Sequence, residues 1–417
     1  MKTFFPFIKP SPWVKTACAT QFLKTLKERV ALLLCLDKYL LTIILSFLLI
    51  ICPVSLIAGQ SPSALTSLTA ANSSPVVVPQ RVVASFAPAF RFASQTIAED
   101  TLWQGAIQVD GMVTIAAQAT LTIMPGTVVR FGADSGLLVL GRVVAKGTAE
   151  LPVLLTSYYL QPAPADWYGI VLTGTAKKNI FDHLKLQGAE TAIYSRSSSF
   201  VLNHLSVDNS SVALKLVDSI VELKEVQISD CPTGISAVKS EVELESVIID
   251  KSEIGLTVTS SSLSTDKLIV SLSSQSALIA EKSQLKVEKS VFSNNARGAV
   301  ITDCGGSFTG SKFIANSETA VVMSSSPLRF NANLVSGSKV GMQLNDNLPS
   351  VWGNSIYANS SYNLFYSGDE HVYLGGNWLG TSNGGFVSDT VFSKRPGAIR
   401  LLPLLATNPW KDLQKDY

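Results

Sequence analysis

The residues of this chain best able to do chemistry are three histidines, a recurring aspartate and a few cysteines. His183 and His204 occupy one column of a repeat, each just before a leucine, Leu184 and Leu205. If the leucines face inward, alternation turns both imidazoles outward, close enough to share a partner. Two imidazoles can hold a transition metal, but a site needs further donors. Without a third ligand the pair reads as surface bystanders, so no metal is assigned. His371, beside Asp369 and Glu370, reads as a solvated turn cluster.

Asp208, Asp230 and Asp250 fall within one position of each other in successive repeats. Such a column could bind Ca²⁺, yet each follows a strand-like stretch where aspartate ordinarily caps a turn. Turn capping is the reading adopted; Ca²⁺ is not signalled, and no cofactor is expected. Cys18, Cys35 and Cys52 lie in or before an apolar N-terminal segment. Cys231 and Cys304 lack CxxC or metal-type spacing and read as small buried residues. Asn294, Asn316 and Asn359 are expected to form an internal amide ladder.

Exposed aromatic rings could stack on sugars. They cluster near the two ends of the repeat region, at Trp103, Tyr158, Tyr159, Trp167 and Tyr168, and again at Trp352, Tyr357, Tyr362, Tyr366 and Tyr373. Core and cap packing accounts for the same rings. The ligand-binding candidates are therefore His183, His204, Trp167, Tyr168, Trp352 and Tyr357.

These residues sit on a repeat. Units beginning at Asp182, Asn203, Lys224 and Glu245 are each 21 residues long and align without a gap. The pattern continues from Asp266, Glu288, Ser311, Ala332 and Asn354 with small changes in length. One column pairs a small residue with an apolar one: Ala192-Ile193, Ala213-Leu214, Gly234-Ile235, Gly255-Leu256, Ala277-Leu278, Ala299-Val300, Ala320-Val321, Gly341-Met342 and, more weakly, Asn363-Leu364. A second column is apolar: Leu184, Leu205, Val226, Val247, Leu268, Val291, Phe313, Leu334 and Ile356.

Each unit holds three short alternating stretches separated by Ser, Asp, Asn and Gly, the mark of strands with one buried face. Three strands in so short a period make one coil of a parallel β-helix; the LxxLxLxxN signature of leucine-rich repeats is missing. The columns then stack at about 4.8 Å per coil. The expected fold is all-β: a right-handed, single-stranded parallel β-helix of about 12 coils, three strands each, after an N-terminal apolar targeting helix. Residues 103–174, with the strongly alternating VTIAAQATLTIMPGTVVRF, supply irregular opening coils. Ala87–Thr101 and the Pro-containing 381–417 are expected to cap ends that would otherwise expose core and strand edges. The expected organisation is an N-terminal extension with signal peptide or anchor (1–59), a Ser/Ala/Pro-rich linker and cap (60–100), the β-helix (101–380) and a capping flap (381–417).

Charged residues make up only 15% of the chain and the net charge is +2, so no basic stripe for nucleic acid is present. Tyr39–Ala58 carries no charge and is long enough to span a bilayer, with Lys38 as its basic flank. It reads as a cleaved signal peptide or an uncleaved anchor; Pro53 and the small residues at its end favour cleavage. The preceding residues make a long n-region, and a start at Leu36 would give a more conventional signal. Ile51 before Cys52 argues against a lipoprotein. Export to the periplasm, cell surface or medium is expected, with membrane contact only through residues 39–58 if they are retained.

The run Ala119–Phe131, the later Gly141, Gly147-Thr148, Pro152 and Thr156-Ser157, and Trp167–Ile170 resemble the opening coils of exported bacterial β-helix proteins of the pectin-lyase-like superfamily. Gly375–Gly380, Asp389 and Pro403–Leu405 are similar to their terminal coil. The resemblance covers roughly residues 100–405 and speaks to fold more than to function. Hydrolases of that kind use paired carboxylates on Asn-Thr-Asp, Asp-Asp and Gly-His-Gly motifs, and none of the three occurs here. Lyases of that kind cluster acidic residues around Ca²⁺ beside a basic residue, whereas the acidic residues here are spread out. No catalytic residue is assigned. The expected role is a non-catalytic envelope or surface module that is structural or binds a polysaccharide or envelope partner; the alternative is a lyase or hydrolase acting on an acidic polysaccharide.

Overall fold

The computed structural model describes residues 81–345 and 349–413. The apolar stretch 39–58, expected to be a targeting helix, lies outside the described residues. All strand pairings between coils are parallel, in a 21-stranded and a 14-stranded sheet. The smaller sheet takes one strand from each coil, which makes about 13 turns. Parallel pairing runs past both boundaries drawn from the sequence. Phe90–Phe92 already pairs with Ile107–Val109, and Val391–Ser393 pairs with Leu364–Tyr366. Two single-turn helices, Gly384–Val387 and Trp410–Leu413, interrupt the all-β character near the C-terminal end.

From His183 to Ser325 each coil is a triangle because three residues per turn adopt the left-handed conformation. His183, His204, Glu225, Ser246, Lys267 and Lys289 form the first corner, with φ between 47° and 58°. Asn209, Asp230, Lys251, Leu272 and Asn294 form the second, and Ser197, Asp218, Lys239, Ser260, Lys282 and Asp303 the third. Left-handed backbone costs an L-residue roughly 1–2 kcal/mol. At the third corner the next residue points inward and its polar side chain answers a backbone amide one coil away; at the first corner the next residue is aliphatic and packs in the core as far as Leu268.

At the third corner Ser261 Oγ accepts the Ser240 amide at 2.9 Å, and Ser283 Oγ accepts that of Ser261 at 3.1 Å. Cys304 Sγ continues the relay by accepting the Ser283 amide at 3.4 Å. These groups also donate to the carbonyl two residues back, as Ser261 Oγ does to Thr259 O at 2.8 Å. Cys231 stands at the same place in the second corner. Both cysteines are free and buried, as the sequence suggested, but they act as substitute serines.

The amide ladder exists with one correction. Asn294 is an exposed corner residue, and its neighbour Asn295 is the buried one. Asn295 Oδ1 accepts the Ser273 amide at 2.8 Å, and Asn316 Oδ1 that of Asn295 at 3.1 Å. A second ladder, not anticipated, runs through Asn333, Asn354 and Asn377 at the first corner.

That ladder explains where the apolar column slipped. The inward position after the first corner reads Leu184, Leu205, Val226, Val247 and Leu268, and then turns polar at Ser290, Ser311, Asn333 and Asn354. Val291 and Leu334 instead continue the column of Ile269 and Lys312, while Phe313 and Ile356 continue that of Phe292 and Val335. The small-residue column also shifts once: Leu278 pairs with Ala299, so the small member there is Gly298. A Cβ on Gly298 would lie 2.3 Å from Ala320 O, which is why this column stays small. Inside, aliphatic residues give way to stacked rings, with Phe292 and Phe313 centroids 4.8 Å apart.

Candidate functional site

The site grows out of the first corner. His183 and His204 are not simply outward strand residues, as alternation suggested; they are corner residues with φ of 47° and 51°. Successive coils therefore present them directly above one another. Their rings stack with centroids 4.1 Å apart and 18° between planes.

Asp182 joins them, a third donor that sequence reading passed over. Its Oδ1 lies 2.8 Å from His183 Nδ1 and 3.0 Å from His204 Nδ1. The contact with His204 is a hydrogen bond. The contact with His183 lacks hydrogen-bond geometry, and that buried nitrogen has no hydrogen-bond partner. On the far side, Glu225, the corner residue of the next coil, places Oε2 3.3 Å from His204 Nε2. Ligand atoms of Asp182, His183 and His204 all lie within 4.8 Å of one another, close enough to hold an ion.

Beside the corner lies a groove of about 400 Å³. Lys185, Ser206, Gln227 and Ile248 line it as registered partners on four successive coils. Thr148, Ala149 and Pro152 form one wall. That wall is held by Gly147, whose amide donates to Asp182 O at 2.8 Å, and where a Cβ would fall 2.5 Å from His183 O. Glu150, in the same loop, is held below the usual carboxylate range by its own backbone amide and by Thr148, with His183 adding to the effect. The signal that could have found Glu225 was present in the sequence, since it follows His204 by one 21-residue repeat.

The aromatic candidates do not join this site. Trp167 is core: it is 1% exposed, stacks on Phe131 at 4.1 Å, and donates its Nε1–H to Gln187 O at 2.8 Å. Its faces are closed to a ligand because residue 167 points inward. Tyr168 is exposed and donates its hydroxyl to Asp134 at 3.0 Å, which raises its pKa. Trp352 is exposed, and half-buried Tyr357 packs edge-on against Trp378 at 4.8 Å. Neither Tyr168, Trp352 nor Tyr357 lines the groove. Of the aspartates, Asp208 accepts from Gln187 and Asn209, and Asp230 pairs with Lys251 at 3.5 Å. Asp230 is itself a corner residue, one position on from the strand ends at Asp208 and Asp250. His371, Asp369 and Glu370 are exposed.

Two family models match this chain. Residues 95–198 match the pectate-lyase-like β-helix domain and residues 203–379 the right-handed β-helix region. No curated protein matches. Among solved structures, the catalytic domain of a GH87 α-1,3-glucanase in complex with nigerose is similar at 11% identity with a TM-score of 0.29. The catalytic domain of a GH87 α-1,3-glucanase D1068A in complex with tetrasaccharides is similar at 9% identity with a TM-score of 0.26. In each case the match covers 69% of this chain and 64% of the other. With three left-handed corners per coil from His183 to Ser325, parallel pairing throughout the sheets and these two family matches, the chain is a pectin-lyase-like right-handed β-helix repeat protein.

Proposed function

We propose that this chain is a non-catalytic, exported β-helix of the bacterial envelope or surface whose first-corner groove holds an extended polysaccharide. The observation that carries the reading is the lining of Lys185, Ser206, Gln227 and Ile248, one outward side chain per coil in exact register. Their spacing of roughly 4.8 Å is on the scale of one sugar residue. A cation, a hydroxyl, an amide and an aliphatic surface are the contacts a polar polymer with apolar sugar faces requires. Export rests on the apolar run Tyr39–Ala58 and its basic flank. Among the described residues no helix is long and apolar enough to cross a membrane.

The test is a glycan array and a depolymerisation screen on the full-length chain, with and without Ca²⁺. Binding without cleavage is expected. Lys185→Ala or Gln227→Ala should each weaken it about tenfold, the loss of one hydrogen bond worth ~1.4 kcal/mol. Cleavage products would overturn the non-catalytic reading in favour of a lyase or hydrolase. Absence of any binding would overturn the polysaccharide reading and leave a structural or protein-binding role.

A further inference from the structure

We infer that Asp182, His183 and His204 form a binding site for a divalent first-row transition ion of the Zn²⁺ type. Three features converge. The donor set is two imidazoles and one carboxylate, which suits such an ion better than the all-oxygen shell Ca²⁺ requires. The distances fit: Asp182 Oδ1 stands 2.8 Å and 3.0 Å from the two Nδ1 atoms. Bonds of roughly 2.0–2.1 Å in a tetrahedron set neighbouring ligand atoms about 3.3 Å apart, so only a small outward movement admits the ion. Finally, His183 Nδ1 is buried with no hydrogen-bond partner. A buried nitrogen without a well-directed hydrogen bond is unfavourable, and a metal bond satisfies it.

Glu225 supplies the outer support such sites use. A ligating histidine ordinarily donates its other ring N–H to a carboxylate, which sets the tautomer and aims the ring. With the proton of His204 on Nε2, facing Glu225 Oε2 at 3.3 Å, its Nδ1 is free for the ion. The scaffold is stiff where it matters. Asp182 is in register with Asn203 on the next coil, and the rings at the corner are stacked. His183, His204 and Glu225 also line the groove, leaving the fourth position to water or a ligand oxygen. This inference stands apart from the polysaccharide reading, because the ion's ligands are all side chains of the chain itself.

The experiment uses the tag-free, full-length chain stripped with a chelator. Zn²⁺ binding is measured by calorimetry and Co²⁺ binding by visible absorption, with no sugar present. One equivalent of Zn²⁺ is expected, with Co²⁺ bands of a four-coordinate site. Glu225→Gln should weaken binding by roughly 10–100-fold, the usual loss for an outer carboxylate, and Asp182→Asn and His204→Asn by more. Asparagine tolerates the left-handed corner, so His204→Asn removes the ligand while retaining a residue suited to φ 51°. Lys185→Ala, in the groove but not among the ligands, should leave Zn²⁺ binding unchanged. Absence of stoichiometric binding overturns the inference, as does binding indifferent to Asp182→Asn and His204→Asn. If either variant loses its β-sheet circular dichroism, the Co²⁺ spectrum of the unaltered chain decides: four-coordinate bands sustain the site and their absence overturns it.

Discussion

Replacing Asn354 by leucine tests the claim that buried amides hold the C-terminal coils together. Asn354 is fully buried. Its Oδ1 accepts the Asn333 backbone N–H at 2.9 Å and Asn333 Nδ2 at 3.2 Å. Its Nδ2 donates to Phe330 O at 2.8 Å, Trp352 O at 3.0 Å and Asn377 Oδ1 at 2.9 Å. Leucine is similar in size, so the volume is nearly kept while the relay is cut. The Asn333 N–H loses its acceptor, at a cost of about 1–3 kcal/mol for a buried unpaired donor. The weakened carbonyls and the broken amide chain raise the expected total to about 2–5 kcal/mol. Urea unfolding followed by circular dichroism reads the loss. Because solenoid stability is largely a nearest-neighbour sum, amide exchange should accelerate around Arg329–Ser336 and Ser350–Tyr357 but not in the coils around His204. Asn333→Leu combined with Asn354→Leu should cost less than the sum by about 0.5–3 kcal/mol. A change within ~0.5 kcal/mol, with unaltered exchange, would refute the reasoning.

Other consequences follow from the same geometry. Gly234→Val places a Cβ 2.4 Å from Gly255 O and should destabilise by about 3 kcal/mol, read as a lowered midpoint in thermal denaturation. Cys304→Ser should change stability by no more than ~0.5 kcal/mol in urea titration, because Ser283 and Ser326 already fill the same corner in the coils beside it. Burial pushes the Cys231 thiol up to about 11. Since its folded pKa is raised, the stability it contributes is complete below the unfolded thiol value of about 8.5 and is lost as pH rises toward 11; Cys231→Ser should flatten that part of the urea-midpoint profile. At the N-terminal arm, Arg81 pairs with Asp166 and lies over the Tyr159 ring at 4.0 Å. Burial opposes ionisation of Asp166, but hydrogen bonds from Arg81, Ser157 and the Ala163 amide outweigh it and depress its pKa. The arm's tether is thus present above the usual carboxylate value of about 3.9 and weakens as pH falls below it. Arg81→Ala should accelerate exchange of the Ala84 and Leu160 amides, which bond to Tyr158 O and Val82 O.

How far each feature was legible depended on how local its cause is. Period-two alternation within 21-residue units sufficed for the coil, because a strand's side-chain directions follow from its own backbone. The apolar template failed where the first-corner column turns from Leu268 to Ser290 and then to Asn333. Those polar residues are buried because each answers an amide one coil away, so their burial cannot be read from neighbours in sequence. Cys231 and Cys304 were read as apolar for the same reason; only the stack shows them taking the place of serine.

What the sequence determines by itself is therefore the β-helix, its period and most of the residues that fill it, since repeating strands with one apolar face leave few ways to bury that face. What only the tertiary structure decides is which residues turn the corners, and so which side chains meet. The left-handed backbone at His183 and His204 takes both rings out of simple alternation and stacks them with Asp182 on one side and Glu225 on the other. The loop from Gly147 to Pro152 closes over them only because Gly147 has no Cβ to strike His183 O. That meeting of three coils and a loop is set by stacking along the axis, and stacking is a property of the folded solenoid.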